Sequence, residues 1–493
     1  MIEHIALGFP LWLRITHYLN IIFTLVLVRS GLQIFFDHPK LYWNDSSTPG
    51  SEWFSLARKK MPAGALWTSR DEAEYLNPVV GITGGEHKLG SARRWHFTAV
   101  ILWLTNGFVY LAFLFTTGEW VRLVPTSWSI FPGAIRTMIE YMHFQAPSAA
   151  AFNPYDPLQQ LTYFMIIFVL SPIMIITGLA MSPAFTARFP KYLKIFGGRQ
   201  SARSIHFLGM VAMLGFVAVH VTMVILVNAQ ANLLNITIGD PAGNAVLAGW
   251  ILAIAITLLL LINIFITLFT RSHERVVQQA LDPLINGVTG FFFGRAASHQ
   301  RYTKKDISPY FRVNGRPPEN PEWVMHRANG FANWKLKVKG LVENPMALSL
   351  ADLKAMRKSE QITKHNCIQG WSAVAEWGGV LVGDVMLKVK PKPEARYAVF
   401  FAYDEDPSGH PYYETFPIEE MLRPQALLAY EMNYEALKAE HGAPLRLRAE
   451  TKLGFKMVKY LRSIYFVESV SSIGLGYGGS KEDLDFYDKN ALI

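Results

Sequence analysis

The run SARSIHFLGMVAMLGFVAVHVTMVILV, from Ser201 to Val227, decides how the first part of this chain is read. It is apolar almost throughout and long enough to cross a hydrocarbon core of about 30 Å as one helix. Two histidines, His206 and His220, interrupt the apolar part. Their spacing is close to four helical turns, so both point to nearly the same face. At 1.5 Å rise per residue they stand about 21 Å apart along the axis, one near each leaflet. Ionisable side chains at such depths are costly and usually functional.

Working outward, four more apolar runs reach spanning length. The five predicted spans are 11–36, 95–117, 158–181, 204–228 and 245–269. His17 stands early in the first span and His96 early in the second. Successive spans reverse direction, so these two sit near opposite faces. The fourth span runs parallel to the second, which puts His206 level with His96 and His220 level with His17. Topology therefore pairs His17 with His220 and His96 with His206. Each pair can give two imidazole ligands to one haem iron. The bland alternative is four polar residues lining a bundle or a proton path. His4, His38, His87 and His143 fall in termini or loops and are secondary candidates for a quinone pocket.

The chain has 493 residues, 51% of them hydrophobic, and a formal charge of +9. Past about residue 270 it turns mixed and charged. The reading is a membrane domain over 1–270, a polar connector over 271–305 and a soluble domain over 306–493. Much of the basic excess lies in loops of the membrane part, which suits a phospholipid surface and not a nucleic acid. One cysteine, Cys367, excludes internal disulfides, protein-bound iron–sulfur clusters and covalent c-type haem. The start lacks a basic n-region, a small-residue cleavage site and a twin-arginine, so the first span is expected to stay in the membrane.

The segments RITHYLN around His17, RRWHF around His96, ITGL at 176–179 and the fourth-span histidine pair resemble the di-haem b-type cytochrome subunits of formate dehydrogenases and nickel–iron hydrogenases. The resemblance covers roughly residues 10–230. It implies a four-helix di-haem core that exchanges electrons with the quinone pool; the fifth span matches less tightly.

The soluble part alternates strand-like runs at 334–342, 397–403, 444–449 and 460–470 with helical pieces at 350–356, 383–389 and 418–428, an α+β domain. Cys367 lies in HNCIQGWSAVAEWGG. A buried inert thiol is the usual reading of a lone cysteine, yet a thiolate is also a soft ligand for a redox metal. Its surroundings, with FRVNGRPPENPEW, WKLKVKGLVENP, HGAPLRLRAE and GFKMVKYLRSI, resemble the molybdopterin-binding domain of the sulfite oxidase superfamily over nearly all of 306–480. The resemblance implies that Cys367 binds molybdenum. It assigns His441, Arg446, Lys459 and the backbones of Met457 and Val458 to the pterin, and His326, Arg327 and Asn329 to a pterin-binding loop. Tyr403 and Asp404 are candidates near the metal. Sulfite oxidases carry arginines just after the cysteine, whereas 368–378 here has no basic residue. The GWS run at 370–372 and Trp377 are closer to the bacterial branch that includes the methionine sulfoxide reductase catalytic subunits.

The expected protein is a five-span α-helical bundle with a sulfite-oxidase-type α+β domain. It would pass electrons between quinone and a molybdopterin centre through two b haems and reduce a small S- or N-oxide. Substrate oxidation with quinone reduction, a non-catalytic haem sensor and a transporter are the alternatives, and a homo-oligomer is compatible with the sequence. The expected place is the bacterial inner membrane. Lysine and arginine crowd the face holding loops 37–94 and 182–203, so the positive-inside rule puts that face, with the soluble domain, in the cytoplasm. The periplasmic side is the alternative.

The depth argument makes a spectroscopic prediction. His96→Ala and His206→Ala should each remove the same haem, and His17→Ala and His220→Ala should each remove the other. Low-temperature difference spectra of the four variants test the grouping.

Overall fold

The computed structural model describes residues 8–61, 64–143, 155–227, 229–293, 301–406, 409–489 and 491. Five helices are long and apolar enough to cross a membrane. They are α1 (Leu11–Phe36), α2 (Leu89–Thr116), α4 (Pro157–Met181), α5 (Arg199–Leu226) and α6 (Ala245–Ser272). Between α2 and α4 lies α3 (Ile130–Met142), whose exposed Phe131, Ile135, Met138, Ile139 and Met142 form one apolar stripe at helical spacing. That stripe suits a helix lying in the membrane interface.

Two spans begin earlier than hydropathy predicts. α2 and α5 continue past their apolar parts to include Arg93, Arg94, Arg199 and Arg203. The charges are tolerated because protein groups satisfy them. Arg94 pairs with Asp282 at 2.6 Å, Arg199 donates to the Met181 carbonyl, and Arg203 donates to the carbonyls of His38 and Lys40. In α4, residues Met165–Leu170 widen into a π-helical turn just before Pro172. Proline lacks the N–H that an α-helical ladder would need there.

The fifth span, α6, is held by polar clips. Arg29 of α1 reaches Asn263 Oδ1 at 3.0 Å, Thr267 Oγ1 at 2.5 Å and the Gly81 carbonyl at 2.7 Å. Trp95 Nε1 donates to Thr270. The predicted polar connector holds a further helix, α7 (Glu274–Phe293). Val277 is buried and Leu281, Ile285 and Val288 are half-buried, at helical spacing, while Val276, Leu284 and Phe291 on the other faces are exposed.

The soluble domain starts with α8 (Pro321–Ala328) and then builds two sheets. The strands are β1 (Lys335–Gly340), β2 (Met346–Ser349), β3 (Ser359–Asn366), β4 (Ser372–Leu381), β5 (Tyr397–Glu405), β6 (Pro411–Pro417), β7 (Ala426–Met432), β8 (Arg446–Ala449) and β9 (Leu461–Val467). One sheet runs β2-β1-β9-β5-β6, with β1 and β9 parallel. The other runs β3-β4-β7, with β8 also paired to β7. A core including Trp323, Trp334, Phe400, Leu428 and Phe466 fills the space between them.

Three readings of this domain change. Residues 418–428, read as helical, form one short helix (Ile418–Met421) and then enter β7. Pro424 cannot continue a helix, and β7 is buried along nearly its whole length. The pair β3 and β4, which carries the cysteine, went unread. β4 is buried on both faces and rich in alanine and glycine, so it lacks alternation and strand propensity. β2, of four residues, and β6, of seven and bounded by prolines, were also unread.

The C-terminal segment is locked by a charge cluster. Lys456 lies between Glu414, at 2.6 Å, and Glu482, all three at most 1% exposed. The two carboxylates hold the lysine above its usual pKa range despite burial. Lys456→Met would leave two buried carboxylates facing each other. It should lower the stability of the soluble domain by about 3–5 kcal/mol, read as an earlier thermal transition by near-ultraviolet circular dichroism.

Candidate functional site

β3 and β4 pair through Asn366 and Ser372, and the turn between them presents Cys367. The cysteine N–H donates to the Trp371 carbonyl at 3.0 Å, and the Gly370 N–H donates to the cysteine carbonyl at 3.2 Å. Gly370 closes this loop at φ +102°, a conformation that favours glycine. Cys367 is 1% exposed, and burial pushes its thiol up to about 12. Asn314 Nδ2 lies 4.0 Å from Sγ. Among the described residues no group of three His, Cys, Asp or Glu side chains is placed to share a metal ion. A metal here must bring its remaining ligands with it.

Beside the cysteine stands a buried cationic cluster. Arg446 and Arg448 sit two apart on β8 and lie over Trp377, at 4.8 and 4.3 Å from the ring centre. Arg446 donates to the His441 carbonyl at 2.8 Å, and Arg448 contacts His365 Nδ1 at 2.9 Å. Lys459 Nζ donates to the carbonyls of Asn314, at 2.7 Å, and Glu440. Phe311 touches the rings of His365, Trp371, Trp377 and His441. Burial lowers Lys459 to about 7, with Arg446 adding to the effect, and lowers Arg446 to about 10. His441 falls to about 3, by burial first and then by Arg446 and Lys459. Arg446 Nε and Arg448 Nε are buried without a hydrogen-bond partner. Such crowded cations want an anion, and a pterin that carries a phosphate supplies one. The residues therefore fit molybdopterin.

His326, Arg327 and Asn329 lie elsewhere on α8 and just beyond it. His326 is buried against Tyr403 and Glu322, Arg327 lies over Trp323, and Arg327 and Asn329 are exposed. Trp323 in turn packs against Tyr460, whose hydroxyl lies 3.1 Å from Lys459 Nζ, and Arg327 and Arg446 both act electrostatically on Tyr460, so this loop stands one residue away from the cationic cluster. α8 buries only Trp323 and His326, which turns its remaining side chains outward. Tyr403 donates to Glu322 at 3.3 Å, and Asp404, raised by burial, faces Lys459. Neither has a described contact with Cys367. The N–H groups of Met457 and Val458 are engaged by the carbonyls of Gly454 and Lys456. The reading missed Asn314, His365 and Arg448. Arg448 was detectable, since alternate strand residues share a face with Arg446.

In the membrane part the His17 and His220 ring centres are 6.3 Å apart. Two imidazoles flanking one metal atom at about 2 Å would have centres about 6 Å apart, so this pair fits one iron. His96 and His206 lie close enough to interact electrostatically. The Ser30 hydroxyl contacts His96 Nδ1 at 3.0 Å, the Thr177 hydroxyl contacts His206 Nδ1 at 2.9 Å, and Tyr163 lies 3.4 Å from His220 Nδ1. His38 is buried beside Glu72, and His87 lies near Asp37. His143 is exposed, and His4 lies outside the described residues.

The two sites meet. Gln200, in the first turn of α5, donates to the Gly370 carbonyl at 3.0 Å. Gln369 reaches the carbonyls of Ser69 and Asp37 in the loop after α1. His206 follows Gln200 by six positions, about 9 Å of helix rise. A cavity of about 490 Å³, lined by Lys59, Lys60, Trp67, Arg70, Asp71, Glu86 and His87, opens beside this seam.

Residues 8–235 match the family described as prokaryotic cytochrome b561, and residues 323–473 match the oxidoreductase molybdopterin-binding domain. A putative protein-methionine-sulfoxide reductase subunit of Azospira oryzae is 33% identical over 28% of this chain and 50% of its own length. A protein-methionine-sulfoxide reductase catalytic subunit of Xanthomonas campestris is 36% identical over 28% of this chain and 46% of its own. An uncharacterized oxidoreductase of Bacillus subtilis is 36% identical over 27% of this chain and 66% of its own. The chain spans about half the length of the first two.

The raised thiol pKa makes a labelling prediction. In folded, cofactor-free protein at pH 8, thiols should outnumber thiolates by about ten-thousandfold. Cys367 should therefore resist iodoacetamide until urea unfolds the domain, as read by mass spectrometry.

Proposed function

We propose that this chain, which joins a prokaryotic cytochrome b561 domain to an oxidoreductase molybdopterin-binding domain, is a quinone-linked membrane oxidoreductase that reduces a small S- or N-oxide. The observation that carries the reading is the seam itself. The loop holding Cys367 is hydrogen-bonded to the first turn of α5, the helix that also carries His206 and His220. Bound in these sites, two b haems supply one-electron transfer and molybdenum-molybdopterin supplies two-electron oxygen-atom transfer.

The chain's own residues then have defined work. Cys367 provides the soft thiolate. Arg446, Lys459 and His441 hold the pterin and its phosphate, with Asn314, Arg448 and His365 completing the cluster. His17 and His220 serve the haem far from the soluble domain, and His96 and His206 serve the near one. Quinol oxidation releases two electrons and two protons. Reduction of an S-oxide takes up two of each and gives the sulfide and water, so the overall exchange balances. Substrate would enter by the cavity at Trp67 and Arg70, since the Ser69 carbonyl is bonded to Gln369 of the cysteine loop.

The soluble domain lies on the basic face of the bundle, which the positive-inside rule places in the cytoplasm of a bacterial inner membrane. A periplasmic placement is the second reading. It is favoured by the structural use of Arg94, Arg199, Arg203 and Lys88, which bond protein groups at the seam and so account for much of that charge without reference to sidedness.

The test uses purified holoprotein with haem and molybdenum quantified. His17→Ala should abolish quinol-driven reduction of a small sulfoxide while sparing turnover driven by a soluble reductant acting at molybdenum. Quinol-driven turnover that survives His17→Ala would move the quinone site to the near side. Haem reduced by substrate and not by quinol would reverse the direction of flow.

A further inference from the structure

We infer that Ser30 and Thr177 are positioning residues that fix both ligands of the near haem with Nε2 as the metal-binding nitrogen and lower that haem's potential. The inference rests on the assignment of His96 and His206 to one haem. Both hydroxyls are fully buried. Ser30 Oγ lies 2.6 Å from the Val26 carbonyl and 3.0 Å from His96 Nδ1. A hydroxyl has one proton, and an oxygen pair at 2.6 Å requires it between them. The ring Nδ1–H must then be the donor, to Ser30 with the Leu27 carbonyl as a second acceptor beside it. Nδ1 is thereby protonated, and the free lone pair is on Nε2.

Thr177 repeats the arrangement on another helix. Its Oγ1 lies 2.6 Å from the Ile173 carbonyl and 2.9 Å from His206 Nδ1. The sequence context repeats as well: Ser30-Gly31-Leu32 on α1 and Thr177-Gly178-Leu179 on α4. In each, a Cβ added to the glycine would stand 3.6 or 3.7 Å from Cε1 of the histidine it serves. Each ring thus lies across a hydroxyl–glycine pair of the neighbouring helix.

A hydroxyl already donating its proton is a better acceptor. An imidazole that donates Nδ1–H to such an acceptor is the stronger metal ligand and favours the oxidised iron. Among the described residues the far pair has no such arrangement: His220 Nδ1 meets the phenol of Tyr163 at the longer distance of 3.4 Å.

The experiment is a redox titration of the haem bands in Ser30→Ala, Thr177→Val and the double variant, with Ser30→Thr and Thr177→Ser as controls. The two waves are assigned beforehand through His17→Ala and His206→Ala. The expected result is an upward shift of the near-haem midpoint in each variant, larger in the double, with the far wave unmoved and the controls near wild type. Loss of the near haem alone in Ser30→Ala, restored in Ser30→Thr, also supports the inference. Two haems with an unmoved near wave, or a shift in the far wave, would overturn it. Wild-type protein without two haems would instead overturn the assignment on which it rests.

Discussion

A carboxylate buried at the seam joins the two halves of this protein. Glu72, 2% exposed, belongs to the loop between α1 and α2 and lies 2.8 Å from Arg312 of the soluble part, with Lys40 and His38 also against it. His38, Arg312 and Lys40 hold the carboxyl below its usual range against the pull of burial. Arg312 also reaches the Tyr42 hydroxyl and the Ser47 carbonyl, so its donors meet acceptors out of water. Removing one member of such a set strands the others at low dielectric, which is why a buried pair resists being pulled apart. Two residues beyond Arg312 comes Asn314, which faces the cysteine sulfur and whose carbonyl is held by Lys459. The ion pair that docks the domains thus also positions Asn314 between the cysteine and Lys459.

The cationic cluster and the bundle solve one electrostatic problem in different ways. Both keep polar groups away from water. The bundle uses imidazoles and gives each of His96 and His206 a hydroxyl partner. The cationic cluster gathers Arg446, Arg448 and Lys459 on carbonyls and aromatic faces, with Asp404, Glu440 and Glu450 acting on them electrostatically, and leaves Arg446 Nε and Arg448 Nε buried without a hydrogen-bond partner. Buried guanidinium donors left without partners favour a bound anion.

The basic face of the membrane part carries two meanings in one set of residues. Lysine and arginine there form the charge asymmetry expected at a membrane surface, and several also form the hydrogen bonds that seat the soluble domain. Arg94 bridges α2 to Asp282 of α7 and to the Phe486 carbonyl, while Lys88 pairs with Glu274. Counting charges along a chain cannot separate these uses, because a count ignores partners.

By itself the sequence determined the five spans, the depth of each membrane histidine and the singular position of Cys367. These are local properties: hydropathy sums along a run, and helical rise converts position into depth. Depth and alternating direction also paired His17 with His220 and His96 with His206, but the tertiary structure decided the strand partners and the acceptors of buried charge. It extended α2 and α5 over arginines because acceptors arrive from distant segments. It formed the β3–β4 hairpin around the cysteine, although β4, buried on both faces, shows no alternation. It assembled Asn314, His365 and Arg448 with Arg446 and Lys459 from four separate stretches, and it left Arg327 and Asn329 exposed. The acceptor for a buried charge and the partner of a strand are both chosen across long sequence separations. Only the folded chain brings them within hydrogen-bond distance.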